Sequence, residues 1–398
     1  MSQDLLDYDD ALAIVLQHAQ PRSPHRLPLL EALGRTIVEP ILSLCDLPAF
    51  DNSAVDGYAV RIQDLDHTSF IVGRELRAGQ PMAGSWLPGV ALRVFTGAAL
   101  PPETGAVVMQ EDVSVVDGRA QLSEPAALGA NIRRRGEELR CGTEVAPAGV
   151  RLSPALAAAA AASGNAEVAV GGPLQLGIVV TGSELVTPGS FLPPGRIYES
   201  NGTGLAAAAG AMGLGEALVR CVPEDLEATA EAIRAMAERC DLVIATGGVS
   251  VGDHDHTHRA FEAAGFERVF WGVRMKPGKP IAFYRRGDRV AFGLPGNPLS
   301  TMVGWCVLVR PFVRKALGLP EDVWLEATAQ EVIRHRPDRL EFVPVSWDGA
   351  GVRSFAARGS HMLGGLVGAN ALARIEAERG DVAAGEVVRI ARLEWFDG

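Results

Sequence analysis

The chain has 398 residues and a mass of 42.0 kDa, room for about two to four domains at ~100–200 residues each. Its 47% hydrophobic and 21% charged residues exclude a disordered tail protein, and only 6% aromatic residues argue against a base-stacking surface. A net charge of −11 opposes a polyphosphate backbone or an anionic membrane. No nucleic-acid or membrane partner is therefore expected, and any anion must be held by a local positive site.

From the N-terminus, the acidic Met1–Asp7 carries no signal-peptide core. Asp9–Gln20 has the spacing of a short amphipathic helix. Residues 41–146 are rich in β-branched residues, Gly and Pro, with alternating segments such as Ala91–Phe95, and predict a β-rich insert. Ser153-Pro154 before Ala155–Ala162 reads as a hydroxyl cap, a first-turn proline and a thin helix. Leu176–Val180 and Asp241–Thr246 are apolar runs expected to be buried parallel strands. Helices are expected near Asn201, over Pro223–Arg239, Asp255–Ala264 and Pro298–Leu317, with strands at Pro280–Tyr284 and Val290–Phe292. Val290–Val309 is uncharged, but Pro295-Gly296-Asn297-Pro298 breaks it into a strand, a turn and a buried helix, too short to cross a membrane. From about Leu319 strand-like segments return.

The fold class expected is multidomain α/β. It has a central three-layer α/β domain with a mainly parallel sheet (174–318), a β-rich inserted domain (42–146), a small elongated linker domain (1–41 with 147–173) and a C-terminal β domain (319–398). The five cysteines Cys45, Cys141, Cys221, Cys240 and Cys306 are scattered and form no C-x-x-C, which fits a reducing, cytoplasmic setting.

Several loops follow expected strands, where open α/β sheets bind ligands. Thr246-Gly-Gly-Val-Ser-Val-Gly-Asp253 offers Gly247, Gly248, Ser250 and Gly252 to an anion, with a spacing that is neither Walker A nor G-x-G-x-x-G. Lys276-Pro-Gly-Lys279-Pro280 places two ammonium groups on a stiff loop, as an anion clamp or as solvated surface. In Gly293–Ser300, Pro295, Gly296, Asn297 and Ser300 stand between a strand and a helix; Asn297 can cap that helix and Ser300 can face the same crevice. Glu184, after the first strand, and Asp255 are candidate Mg²⁺ ligands beside a phosphate-like group. In the insert, Pro48–Ala59 packs acids, amide, hydroxyl and aromatic groups around Asp56, with Thr96-Gly-Ala98 as its partner. Arg133–Arg135 are either an exposed strand edge or a patch for an acidic ligand. His254, His256 and His258 alternate, a spacing that splays them around a helix and does not favour zinc.

DNSAVDGYAV (51–60), the Thr96 loop, IRRRGEE (132–138), VVTGSEL (179–185), TGGVSVGDHD (246–255), KPGKP (276–280) and GLPGNPLS (293–300) occur together and in order. The chain thus resembles molybdopterin molybdenumtransferase, the MoeA and gephyrin E-domain family, from about Asp9 to Ile390. The resemblance implies insertion of molybdenum from molybdate into adenylylated molybdopterin, with release of AMP and a requirement for Mg²⁺. It also implies an elongated homodimer whose active cleft is shared between subunits, with the upstream adenylyltransferase as a possible partner. Asp56, Thr96, Glu184, Asp255 and Lys276 match the family's functional positions, and Lys279, Ser250 and Ser300 its anion-binding loops. Arg339 and Ser360 resemble positions linked to molybdate capture. Two positions depart from the family pattern. Glu137-Glu138 stands for Glu-Asp, and Glu224-Asp225 stands for Asp-Asp and is left outside the expected site. The alternatives are the adenylyltransferase itself, which resembles the α/β domain alone, and a non-catalytic dimeric scaffold.

Overall fold

The computed structural model describes residues 5–80, 85–248, 256–355 and 359–393. They divide into two compact units. One comprises Met1–Arg26, Gly34–Val38 and Ala169–Gly398; the other comprises Leu27–Leu33 and Glu39–Val168.

The larger unit is built on a six-stranded sheet. Its spatial order is Leu218–Val222, Leu176–Thr181, Leu242–Thr246, Arg289–Leu294, Ala282–Arg286, Glu267–Trp271. The first four strands run parallel, and the last two add an antiparallel edge. Leu176–Thr181 and Leu242–Thr246 are buried at every position, as expected for parallel strands covered on both faces. Ile178, Val180 and Ile244 face one core with Leu205, Trp305 and Phe312; Val179, Val243 and Ala245 face the other with Ile233, Met236 and Phe261. The three-layer α/β arrangement expected from the sequence is therefore present. The helix Leu226–Arg239 begins where the Asp225 side chain accepts from the Ala228 N–H at 2.9 Å, with Arg239 in its last turn.

The helix expected over Pro298–Leu317 is one rod with a widened middle: Pro298–Gly304, a π-turn at Trp305–Val309, then Arg310–Ala316. Pro311 supplies no N–H to the Val307 carbonyl four residues earlier. The Tyr8 hydroxyl, from the N-terminal helix Tyr8–Gln17, donates to that carbonyl at 3.1 Å. Burial raises the Tyr8 pKa well above the ordinary phenol value, so the hydroxyl keeps its proton for this bond.

In the same unit, Trp324–Ala329, Leu340–Trp347, Gly351–Ser354, Ala371–Ile375 and Val387–Arg392 form a small barrel. Leu340–Trp347 pairs with both Gly351–Ser354 and Ala371–Ile375 and so closes the ring. Ala329, Val345, Val352, Ala373 and Ile390 fill its interior. A two-residue strand, Met275–Lys276, lies parallel to the start of Leu340–Trp347, pairing Met275 with Leu340 and Lys276 with Glu341.

The smaller unit carries a second six-stranded sheet, in the order Thr104–Met109, Gly57–Arg61, Val90–Val94, Ser69–Leu76, Arg119–Leu122, Val113–Val116. This is the β-rich insert expected from the sequence. Alternation sends Val60, Phe70 and Ala91 to one face and Ala59, Leu92 and Val94 to the other. The alanine-rich helix Pro154–Ala162 belongs to this unit, and Ser153 caps it by accepting from the Leu156 N–H at 3.1 Å.

Candidate functional site

Because four strands of the larger unit run parallel, the turns that follow them emerge at one rim. Four such turns line one cavity of about 560 Å³: Gly182 and Glu184 after the first strand, Glu224 after the second, Gly247 and Gly248 after the third, and Pro295, Gly296 and Asn297 after the fourth. This is the carboxyl-end crevice expected of such a sheet. The floor is tied by buried hydroxyls and an amide. Thr246 Oγ1 donates to the Pro295 carbonyl at 2.9 Å, and Asn201 Nδ2 donates to Thr246 Oγ1 at 3.0 Å and to the Gly296 carbonyl at 2.8 Å. Gly247 and Gly248 have φ of +100° and +63°, conformations that glycine adopts without a Cβ penalty. A methyl group on Gly247 would overlap the Thr181 carbonyl, so this residue lets the turn lie directly on the neighbouring strand.

A second cavity of about 420 Å³ shares Pro280, Pro295 and Asn297 with the first. It is lined by Lys276, Lys279, Ser300, Arg339 and Ser360. Three cations and two hydroxyls from both sides of the barrel–sheet junction thus face one space, a donor set suited to an oxyanion. Lys276 Nζ lies 3.0 Å from Glu341 Oε1; the lysine side chain is half exposed and the carboxylate is buried. Asn297 departs from expectation. Its side chain makes no cap bond to the helix it precedes. Its Nδ2 donates instead to Ser360 Oγ at 3.0 Å, while the Leu299 N–H donates to the Ser360 carbonyl at 3.1 Å.

Asp56 and Thr96 lie in the smaller unit. The Thr96 N–H and hydroxyl both donate to Asp56 Oδ1, each at 2.8 Å. Those two bonds, with Arg93 nearby, hold the Asp56 carboxyl below the usual carboxylate range. The Thr96 loop is stitched to the Asp51–Asp56 segment by Gly97 N–H to the Ser53 carbonyl at 2.8 Å and Ser53 N–H to the Ala98 carbonyl at 3.0 Å. The expected partnership of these two motifs is therefore present. Of the arginine run, Arg134 pairs with Asp51 at 2.7 Å and Arg135 with Asp46 at 2.6 Å, on an exposed face.

Ser250, Gly252 and Asp255 lie outside the described residues. The remaining expected rim and clamp residues line one or other of the two cavities. Sequence reasoning missed three acids. Glu224 replaces the family's aspartate and so falls outside the expected site, although its place after a parallel strand points to the rim. Glu199 lines the larger cavity and caps the helix Asn201–Ala211 by accepting from the Gly202 and Thr203 N–H groups. Glu341 stands two residues after Arg339 in Asp-Arg-Leu-Glu-Phe and is not singled out there; strand pairing brings it to Lys276.

Among the described residues no group of three or more His, Cys, Asp or Glu is placed to hold a metal ion. The larger cavity nevertheless carries carboxylates at Glu184 and Glu224. Hard oxygen donors in small number suit Mg²⁺, which keeps waters and shares phosphate oxygens rather than taking an all-protein cage.

Three family descriptions match consecutive segments: "MoeA N-terminal region (domain I and II)" over residues 6–164, "Probable molybdopterin binding domain" over 177–315, and "MoeA C-terminal region (domain IV)" over 326–393. A molybdopterin molybdenumtransferase of Haemophilus influenzae is 36% identical, covering 97% of this chain and 98% of that protein. Molybdopterin molybdenumtransferase 2 of Mycobacterium tuberculosis is 32% identical, covering 95% of this chain and 97% of its own. The crystal structure of the molybdopterin biosynthesis MoeA protein from Pyrococcus horikosii superposes with a TM-score of 0.84 at 28% identity, over 98% of this chain and 99% of that one. With its two rim cavities and matches along nearly its whole length, this chain belongs to the molybdopterin molybdenumtransferases, transferases of molybdenum cofactor biosynthesis.

Proposed function

We propose that the chain transfers molybdenum from molybdate to adenylylated molybdopterin and releases AMP. The observation that carries this reading is the adjacency of the two cavities: a carboxylate- and glycine-lined rim beside a pocket bearing Lys276, Lys279 and Arg339. Molybdate is a tetrahedral dianion, and the ammonium, guanidinium and hydroxyl groups of the second cavity match its charge and its acceptor oxygens. The rim cavity, with turn N–H groups and the Asn201–Thr246 floor, suits the larger phosphoanhydride-bearing pterin. Lys276 and Lys279 offset charge on the oxyanion, and Ser300 and Ser360 orient it. The two dithiolene thiols of the substrate replace one molybdate oxygen, which leaves with their protons as water, and water cleaves the phosphoanhydride to free AMP, so no protein nucleophile is needed.

Glu184, with Asp255 and Glu224 as further ligands, is the residue that would hold Mg²⁺. When bound, that ion would neutralise charge on the phosphoanhydride. The same reading makes the protein a cytoplasmic homodimer with domain boundaries near residues 42, 147, 174 and 319. The partner subunit's Asp56 and the partner subunit's Thr96 would complete each site. The upstream adenylyltransferase would be the source of the activated substrate.

The deciding experiment measures AMP release from adenylylated molybdopterin with and without molybdate and Mg²⁺. Release that depends on both is expected; release indifferent to molybdate would overturn the assignment. Lys276→Ala is expected to lower cofactor yield by on the order of 100-fold with the fold intact. A normal yield would remove Lys276 from the mechanism.

A further inference from the structure

We propose that Glu341 is a positioning residue: it fixes the Lys276 ammonium toward the oxyanion cavity and so sets how tightly the enzyme takes a tetrahedral dianion. The proposal rests on the reading that this cavity takes molybdate.

Lysine carries a flexible four-carbon stem, and a free ammonium must lose rotamer freedom each time it grips a ligand. Here Glu341 Oε1 holds Nζ at 3.0 Å before any ligand arrives. Glu341 is itself buried, and it lines the same cavity as Lys276. Its other oxygen faces His335 Nε2 at 3.9 Å. The His335 ring is held from both ends, with Nδ1 2.6 Å from the Arg379 carbonyl and Nε2 3.2 Å from the Arg339 carbonyl. The carboxylate is therefore backed by a fixed, buried imidazole.

A purely structural role explains the pair poorly. The two segments are already joined by backbone pairing, Lys276 opposite Glu341 and Met275 opposite Leu340. Placing a buried carboxylate against a lysine costs desolvation that an apolar pair of similar size would avoid. A carboxylate in an oxyanion pocket also repels its ligand unless its charge is spent on a neighbour. The 3.0 Å contact pairs it with one N–H of Lys276, and the remaining ammonium donors, with Lys279 and Arg339, meet the incoming charge.

The test uses the full chain, with calorimetric titration of molybdate and steady-state kinetics on adenylylated molybdopterin. Glu341→Gln is expected to weaken molybdate binding and raise its KM about tenfold, with the KM for the pterin substrate within about twofold of wild type. Glu341→Asp keeps the charge at a shorter reach and is expected to recover part of that loss, leaving a rise of about threefold. In a Lys276→Met background, Glu341→Gln should add less than about twofold, because its effect passes through the lysine. Should Glu341→Gln fail to fold, Glu341→Asp alone carries the test, with an expected several-fold rise in the molybdate KM. A wild-type molybdate KM in the folded variants, or a full additional loss in the Lys276→Met background, overturns the proposal. Wild-type protein that turns over normally beside unaffected Glu341 variants defeats only the role of Glu341. Wild-type protein that neither binds nor consumes molybdate defeats the functional reading as well.

Discussion

Thr96 gives both its backbone N–H and its hydroxyl to a single oxygen of Asp56. The arrangement favours the carboxylate, and among the described residues the other oxygen accepts no hydrogen bond. Thr96→Val removes one of the two donors and keeps the side-chain volume. The Asp56 pKa should then rise toward the ordinary aspartate value, so the acid limb of the pH–activity profile moves to higher pH. Thr96→Ser should leave the limb in place. Carboxyl titration of Asp56 by NMR, alongside the rate profile, checks both.

The Tyr8–Val307 bond predicts a stability effect from residues that line neither cavity. Tyr8→Phe keeps the ring packed edge-on to Phe342 at 4.9 Å but leaves a buried carbonyl without its donor. The expected cost is about 1–3 kcal/mol by denaturant unfolding. Pro311→Ala restores an N–H to the rod, so the same substitution made in that background should cost less.

Two neighbouring rim glycines should respond differently to alanine. At Gly247 the left-handed backbone and the overlap with the Thr181 carbonyl together predict a loss on the order of 3 kcal/mol or more. At Gly296 the nearest atom to a new methyl is Gly247 Cα, at an ordinary 3.4 Å. Gly296→Ala should therefore keep the wild-type melting temperature, and any lost activity would report on ligand space.

Asp348 marks a tight turn of the barrel. The N–H groups of Gly351 and Ala350 and the amide of Gln330 donate to it, which lowers its pKa to about 2. Because the folded value lies below the unfolded one, its contribution to stability is present above about pH 4 and is lost as the pH falls toward 2. Asp348→Ala should lower the melting temperature at pH 7, and the gap from wild type should narrow across that acid window. A gap independent of pH would show that the turn does not depend on the charge.

Much of the larger unit is legible because its strands are extreme. Leu176–Val180 and Asp241–Thr246 have no polar face, so only a sheet covered on both sides accommodates them. Once those strands are parallel, Glu184, Gly247 and Asn297 must share an edge, and the rim follows. What escapes is whatever depends on a partner distant in sequence. Asn297 has the composition of a cap, yet Ser360 arrives from the barrel and takes its amide. The helix expected over Pro298–Leu317 is present, but its widened middle and the Tyr8 hydroxyl that donates to the Val307 carbonyl, 299 residues away in sequence, leave no local sequence signal. Glu341 becomes visible only when strand register sets it against Lys276.

The short strand that carries Lys276 has a consequence beyond ligand binding. Its backbone is satisfied by the first residues of Leu340–Trp347, and this pairing serves as the clasp between sheet rim and barrel. A chain cut before Trp324 would leave that segment with open hydrogen-bonding groups, a ready template for other chains. Truncation should accordingly produce self-association and insolubility rather than a smaller, orderly protein missing one module.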